Sequence, residues 1–214
     1  MINSFKIQNL DKIKYLSINS LGNINLIIGL NGSMKSDLVE FLHAFTMYVN
    51  SNYRVPFKSW LFRFYGFNNI SNLKFEINFN GYDFKYELNH NDFTELNSIP
   101  ELKIKTNIQH KRNQFDMGIF SFDNDFIFID EFETSLHPKY ILENLDHLEN
   151  FAKNKTQFFI TTNSYFVLKK IALMQNKLSV KLIDLDNAGS DFFNNSIINE
   201  SIKLYEEEVS QILG

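Results

Sequence analysis

Eight residues, Gly29-Leu30-Asn31-Gly32-Ser33-Met34-Lys35-Ser36, carry the most specific chemical pattern in the chain. A run of the form G-x-x-x-x-G-K-[ST] makes a loop whose backbone amides cradle phosphate. Its Lys reaches the β- and γ-phosphates and its hydroxyl binds Mg²⁺. On that reading Gly29, Asn31, Gly32, Ser33, Lys35 and Ser36 bind nucleotide, and Ser36 is also a metal ligand. Met34 stands where the pattern has its second glycine. A side chain held there at positive φ costs about 1–2 kcal/mol and crowds the phosphate, which points to weakened or lost binding. The same residues also read as an ordinary strand-to-helix turn, with Lys35 solvated and Ser36 capping the helix.

The second constellation is Phe126-Ile127-Phe128-Ile129-Asp130-Glu131, an apolar run ending in two acids. At the end of a buried strand, Asp130 is placed to hold Mg²⁺ through water and Glu131 to act as general base on the attacking water. Two solvated acids at a strand end are the plainer alternative. His137 has no Cys or second His at ligand spacing and reads as a loop residue. Lys111-Arg112 and Lys169-Lys170 are too short to make a nucleic-acid patch. The aromatic stretch Trp60 to Phe67 reads as core before it reads as a base-stacking platform.

These motifs need strands and helices to hold them. Apolar runs at Phe5–Leu10, Ile13–Ile18 and Ile24–Leu30 predict three opening strands, the last with the continuous apolar centre of a strand buried on both faces. Leu38, Leu42 and Phe45, joined by Val39 and Phe41, predict a helix directly after the loop. Alternating runs on either side of Asn80-Gly81 predict a hairpin within an antiparallel lobe at about 58–107, to which Leu102 and Ile104 add a possible strand. Then follow a strand at Phe126–Ile129, a helix from Pro138, a strand at Thr156–Thr161, a helix at about Ser164–Met174, a strand at Val180–Leu185 and a last helix at Ile198–Leu213. Alternating strands and helices around one antiparallel insertion predict a single α/β domain over 1–214, with a mainly parallel sheet, flanking helices and an antiparallel β lobe.

Composition bounds what such a domain can do. At 44% hydrophobic and 15% aromatic, with 23 Phe, the chain can fill a core. A net charge of −4 supplies no global basic field, so DNA contact would need a local patch or a partner. The absence of Cys excludes disulfides and thiolate chemistry. Charges at Lys6, Asp11, Lys12 and Lys14 break any signal-peptide pattern, and no apolar run approaches the ~20 residues of a membrane span. The expected location is the cytoplasm, with no membrane association.

Taken together, IIGLNGSMKS and IDEFETSLHP resemble the Walker A and the Walker B plus D-loop segments of ABC-type P-loop ATPases, of the RecF, SMC and OLD-like AAA ATPase families. FFITTNS, residues 158–164, resembles their switch segment, which normally reads TTHS. The resemblance covers most of the chain, though residues 50–120 and the tail carry no motif. It implies a P-loop NTPase fold, ATP and Mg²⁺ as ligands, and Asn163 at the position of the switch histidine. Asn can donate a hydrogen bond there but cannot carry positive charge. No Leu-Ser-Gly-Gly-like signature stands between Gln109 and Asp125, and Gln109 and Gln114 lie too late to serve as a Q-loop glutamine.

What the resemblance implies is an ATP-binding protein with weak or partner-dependent Mg-ATPase activity. It would be a homodimer or pair with a partner such as a nuclease, contact DNA indirectly, and work in DNA repair or antiviral defence. The second expectation is a pseudo-ATPase that acts as a structural or regulatory subunit. A transporter ATPase subunit would need the missing signature helix.

Overall fold

The computed structural model describes residues 1–30, 32–50, 57, 61, 72–87, 119–123, 126–134, 138–153, 156–186 and 203. Period-two alternation makes one-sided strands, and four of these form the first sheet. β1 (Ile2–Leu10), β2 (Ile13–Ile18), β4 (Lys74–Phe79) and β5 (Tyr82–Glu87) lie in the order β2-β1-β4-β5, antiparallel throughout. Phe5 is opposite Ile18 and Ile77, and Ile7 is opposite Leu16 and Phe75, so one face is apolar. The opposite face carries the ladder Lys6, Glu76, Lys85, whose charges alternate from strand to strand. Asn80 and Gly81 join β4 to β5, both with positive φ, the backbone that a two-residue hairpin turn requires.

The second sheet has the order β6-β7-β8-β3-β9. β3 (Ile24–Ile28), β7 (Phe126–Ile129), β8 (Gln157–Thr161) and β9 (Val180–Asp184) are mutually parallel, and β6 (Ile119–Asp123) runs antiparallel at the β7 edge. Every residue of β3, β7 and β8 is buried, as expected of strands covered on both faces. β6 lies in the span where a signature helix was sought, and its short Ile-Phe-Ser-Phe-Asp run gave too little pattern to be read from sequence.

Three helices cover this sheet. α1 (Lys35–Asn50) lies between the two sheets, and α2 (Pro138–Lys153) and α3 (Tyr165–Leu173) cover the other face. The side chains of the parallel strands divide accordingly. Ile27, Phe126, Phe128, Phe159 and Ile183 join α1 and the antiparallel sheet, while Leu26, Ile127, Ile129, Phe158 and Ile160 join α2 and α3. Sandwiching explains why α1 buries a broad face, from Leu38 and Phe41 round to Val39 and Ala44, while Ser36, Glu40, His43 and Met47 stay partly exposed. Its Phe41 and Phe45 meet Phe75 edge to face, at centroid distances of 5.3 and 5.9 Å, and Phe45 meets Phe84 at 5.4 Å. Phe57 and Leu61 are buried in the same cluster.

The hairpin β4–β5 is the described part of the antiparallel lobe expected at 58–107. It extends the sheet begun by β1 and β2, because its apolar face needs the same cover that theirs does. Leu102, Ile104, Gln109, Gln114, Lys111-Arg112, the rest of the Trp60–Phe67 stretch, His137, and the helix expected at Ile198–Leu213 apart from Lys203 lie outside the described residues. Among the described residues no helix is long and apolar enough to cross a membrane.

Of two buried polar side chains, Gln157 links the two sheets and Asn25 fastens the turn before β3 to β8. Gln157 accepts from the Ile2 N–H at 2.8 Å and donates to the carbonyls of Ile2 and Gly22 at 2.8 and 3.1 Å. Asn25 donates to the carbonyls of Gly22 and Phe158, both at 3.0 Å, and accepts from the Gly22 N–H. Replacing Gln157 with Leu strands these backbone groups without water, so the expected loss is about 2–4 kcal/mol in a urea-unfolding measurement, with an unchanged m-value.

His43 of α1 is half-buried, with its ring 5.4 Å from that of Phe128. Burial pushes its pKa down to about 4 from an ordinary 6.5. Between those values the unfolded chain binds a proton that the folded one does not, so stability falls as pH falls through the window. Asp37 and Glu40, both held above the usual carboxylate range chiefly by burial, contribute a slope of opposite sign at its lower end. The difference between wild type and His43→Phe therefore isolates the histidine. The wild type is expected to lose about 2 kcal/mol relative to that variant between pH 7 and 5, read from urea unfolding at each pH.

Candidate functional site

Four parallel strands bring their C-terminal ends to one edge, the place where open α/β sheets bind ligands. The loop after β3, the acids after β7, the Thr-Thr-Asn segment after β8 and the chain leaving β9 all lie there. Because β8 separates β3 from β7, the loop and Asp130 stand two strand spacings apart, about 10 Å.

The loop folds tightly on itself. Gly29 has φ +155°, and a Cβ there would meet Ser33 Oγ at 2.4 Å and Asp186 Oδ2 at 3.2 Å, so no other residue fits. The Ser33 N–H closes a turn onto the Leu30 carbonyl at 3.0 Å. Gly32 has φ +82° and open space where a Cβ would stand. Met34 has φ +67°, the strained conformation anticipated for the missing glycine. Its side chain packs against the apolar cluster around α1, and that burial offsets part of the strain. Asn31 lies outside the described residues.

Lys35 opens α1 and is only 8% exposed, which removes the reading of a solvated lysine in a plain turn. Its Nζ donates to the carbonyl of Gly29 at 2.8 Å and to that of Leu30 at 3.2 Å. An ammonium has three N–H donors, so the described residues leave one for an anion. Ser33 Oγ is buried in the same loop without a hydrogen-bond partner among the described residues. Ser36 follows in the first turn of α1, half-buried.

On the other side of β8, Thr161 organises the acids. Its hydroxyl donates to Asp130 Oδ1 and accepts from the Glu131 N–H at 2.7 Å. The Phe132 N–H donates to the Thr161 carbonyl at 3.0 Å. Glu131 is exposed, holds φ +48°, and accepts at Oε2 from the Thr134 hydroxyl at 2.9 Å. Glu133 grips the segment after β8: its Oε2 accepts from the Thr162 hydroxyl and its Oε1 from the Asn163 N–H at 2.7 Å. The Asn163 residue is exposed, and Ser164 caps α3 by accepting from the Val167 N–H.

The structure thus gathers Asp130, Glu131 and Asn163 through Thr161 and Glu133. It places Gly29, Gly32, Ser33, Lys35 and Ser36 together one strand further on. Sequence reading gave no role to Thr161, Glu133 or Asp186. The signal available for each was a polar residue at the C-terminal end of a parallel strand. Asp37 and Glu40 extend the acidic side: burial raises both carboxyls, with Asp130 adding to each and Asp11 to Asp37. Among the described residues no three His, Asp or Glu are grouped to hold a metal ion. Mg²⁺ characteristically needs only one or two protein oxygens when phosphate and water supply the rest.

Comparison of the chain with protein-family models, with curated proteins and with solved structures gives no match. The residues at this edge are therefore what supports a functional reading.

Thr161→Val keeps the shape of the side chain and removes the bridge, leaving Asp130 and the Glu131 N–H without it. The expected cost is about 1–3 kcal/mol in chemical denaturation, with Thr161→Ser close to wild type.

Proposed function

We propose that the chain binds the phosphates of a nucleoside triphosphate, ATP by the resemblance of its loop, at the C-terminal edge of β3. The observation that carries this reading is the buried Lys35, held by the carbonyls of its own loop, beside a buried Ser33 hydroxyl; among the described residues the lysine keeps a donor to spare and the hydroxyl has no partner. A buried ammonium is retained where an anion completes its charge, because desolvating it is otherwise costly.

The residues fit a Mg²⁺-bound nucleotide better than a bare one. Asp130, Asp37 and Glu40 would repel an uncompensated triphosphate, and Mg²⁺ bound with it neutralises that charge. Ser36 and Asp130 are the side chains proposed to hold the ion. Glu131 is the proposed base for the attacking water, and Asn163 the residue facing the terminal phosphate. With Asn in place of a cationic histidine, turnover is slow. A partner, either a second copy or a nuclease acting on DNA, belongs to the same proposal through the resemblance alone.

One observation favours the alternative of a pseudo-ATPase: the Asp186 carboxylate already occupies the Leu30 N–H, which places negative charge on the loop. Calorimetric titration with ATP separates the two. Saturable binding in Mg²⁺ that weakens at least tenfold in EDTA and is lost in Lys35→Ala supports the nucleotide site. No heat at millimolar ATP with Mg²⁺ supports the pseudo-ATPase. Where ATP binds, loss of phosphate release in Glu131→Gln with retained affinity assigns the base.

A further inference from the structure

The chain leaving β9 is held against the end of β3 and the loop after it by one hydrogen bond each, and a third bond turns it back on itself. The Leu185 N–H donates to the Ile28 carbonyl at 3.0 Å, which carries the β3–β9 pairing one step past the end of both strands. The Asp186 N–H turns back onto Asp184 Oδ1 at 2.9 Å. Asp186 Oδ2 then accepts from the Leu30 N–H at 2.5 Å.

Leu30 N–H and Gly29 C=O belong to one peptide group, and Lys35 Nζ binds the other end of it at 2.8 Å. Carboxylate, peptide and ammonium form a continuous chain of hydrogen bonds, in which each bond polarises the next. The carboxylate strengthens the partial negative charge on the Gly29 oxygen and fixes the plane of the peptide. Both effects hold the lysine ammonium in the loop. Gly29 leaves room for the arrangement, since a Cβ there would stand 3.2 Å from Asp186 Oδ2.

We infer that Asp186 is a positioning residue for Lys35, acting through the Gly29–Leu30 peptide to preset the lysine for phosphate. The inference deepens the nucleotide reading and rests on it for the word phosphate, while the positioning itself is measurable in the unliganded protein. Asp186→Ala removes the acceptor. Asp186→Asn keeps a side-chain oxygen to accept from Leu30 and drops the charge, so it preserves the tether and removes repulsion toward a triphosphate.

The test measures two quantities on wild type, Asp186→Ala and Asp186→Asn. The first is the rate at which acetic anhydride labels Lys35 in the unliganded protein, read by peptide mass spectrometry against Lys74 as an exposed reference. The second is the dissociation constant of Mg-ATP by calorimetry. Loss of the tether frees the ammonium, so Lys35 labelling rises several-fold in Asp186→Ala and stays near wild type in Asp186→Asn. Affinity falls about tenfold in the Ala variant, and the Asn variant binds as tightly as wild type or more tightly.

A general loss of structure would raise labelling of the neighbouring buried segments as well, and the Asn variant would not restore it selectively. Unchanged Lys35 labelling in Asp186→Ala overturns the inference. So does equal weakening of affinity by both variants, because charge and not the tether would then be acting. If wild type binds no Mg-ATP while Lys35 labelling still responds to Asp186→Ala, the positioning stands and the nucleotide reading falls.

Discussion

Strand β3 is buried along its whole length, and the rest of the molecule follows from that constraint. A backbone with water on neither face must find its hydrogen bonds in neighbouring strands and its side-chain contacts in covering layers. β8 and β9 supply the first. On one face α1, backed by the antiparallel sheet, meets Ile27; on the other, α2 and α3 meet Leu26 and Ile28. The loop after β3 can then emerge only at the C-terminal edge of the sheet, already aimed at the start of α1. Lys35 is buried because it begins the helix packed between the two sheets, on the broad face that also carries Leu38, Val39 and Leu42.

Polar groups inside such a structure need partners; Gln157 and Asn25 have theirs, whereas Ser33 Oγ has none among the described residues. Gln157 ties β8 to β1 of the other sheet and Asn25 ties the turn before β3 to β8, because amide groups fix register where dispersion does not. At the functional edge the same device recurs with hydroxyls and carboxylates. Thr161 links the end of β8 to both acids after β7, and Glu133 links the acidic turn to the segment carrying Asn163. Two loops distant in sequence are thereby tied together by side-chain hydrogen bonds.

The electrostatics of the edge are lopsided. Buried Lys35 shares that edge with Asp130, Glu131, Asp186 and the partly desolvated Asp37 and Glu40. On the proposed reading a polyanion would need positive charge with it, and its binding would depend on how Lys35 is held beside the strained Met34.

The sequence by itself determined the strands and helices described above other than β6, and their order, because hydrophobic period and turn chemistry are local. The continuous apolar runs of Ile24–Ile28, Phe126–Ile129 and Gln157–Thr161 mark strands covered on both faces, and Asn80-Gly81 marks its hairpin. It also picked out Lys35, Asp130 and Glu131 by type and spacing, and Asn163 through the resemblance of its segment to a switch. The strand order was beyond it, since β8 meets β3 through pairs 134 residues apart, such as Ile24 with Phe158, and the β4–β5 hairpin joins β1 through pairs 66 to 77 residues apart. Only the tertiary structure brought Thr161, Glu133 and Asp186 to the site. Each acts through a hydrogen bond to a backbone or side chain from another strand, and a single acid or hydroxyl in a sequence carries no mark of the partner that folding will give it.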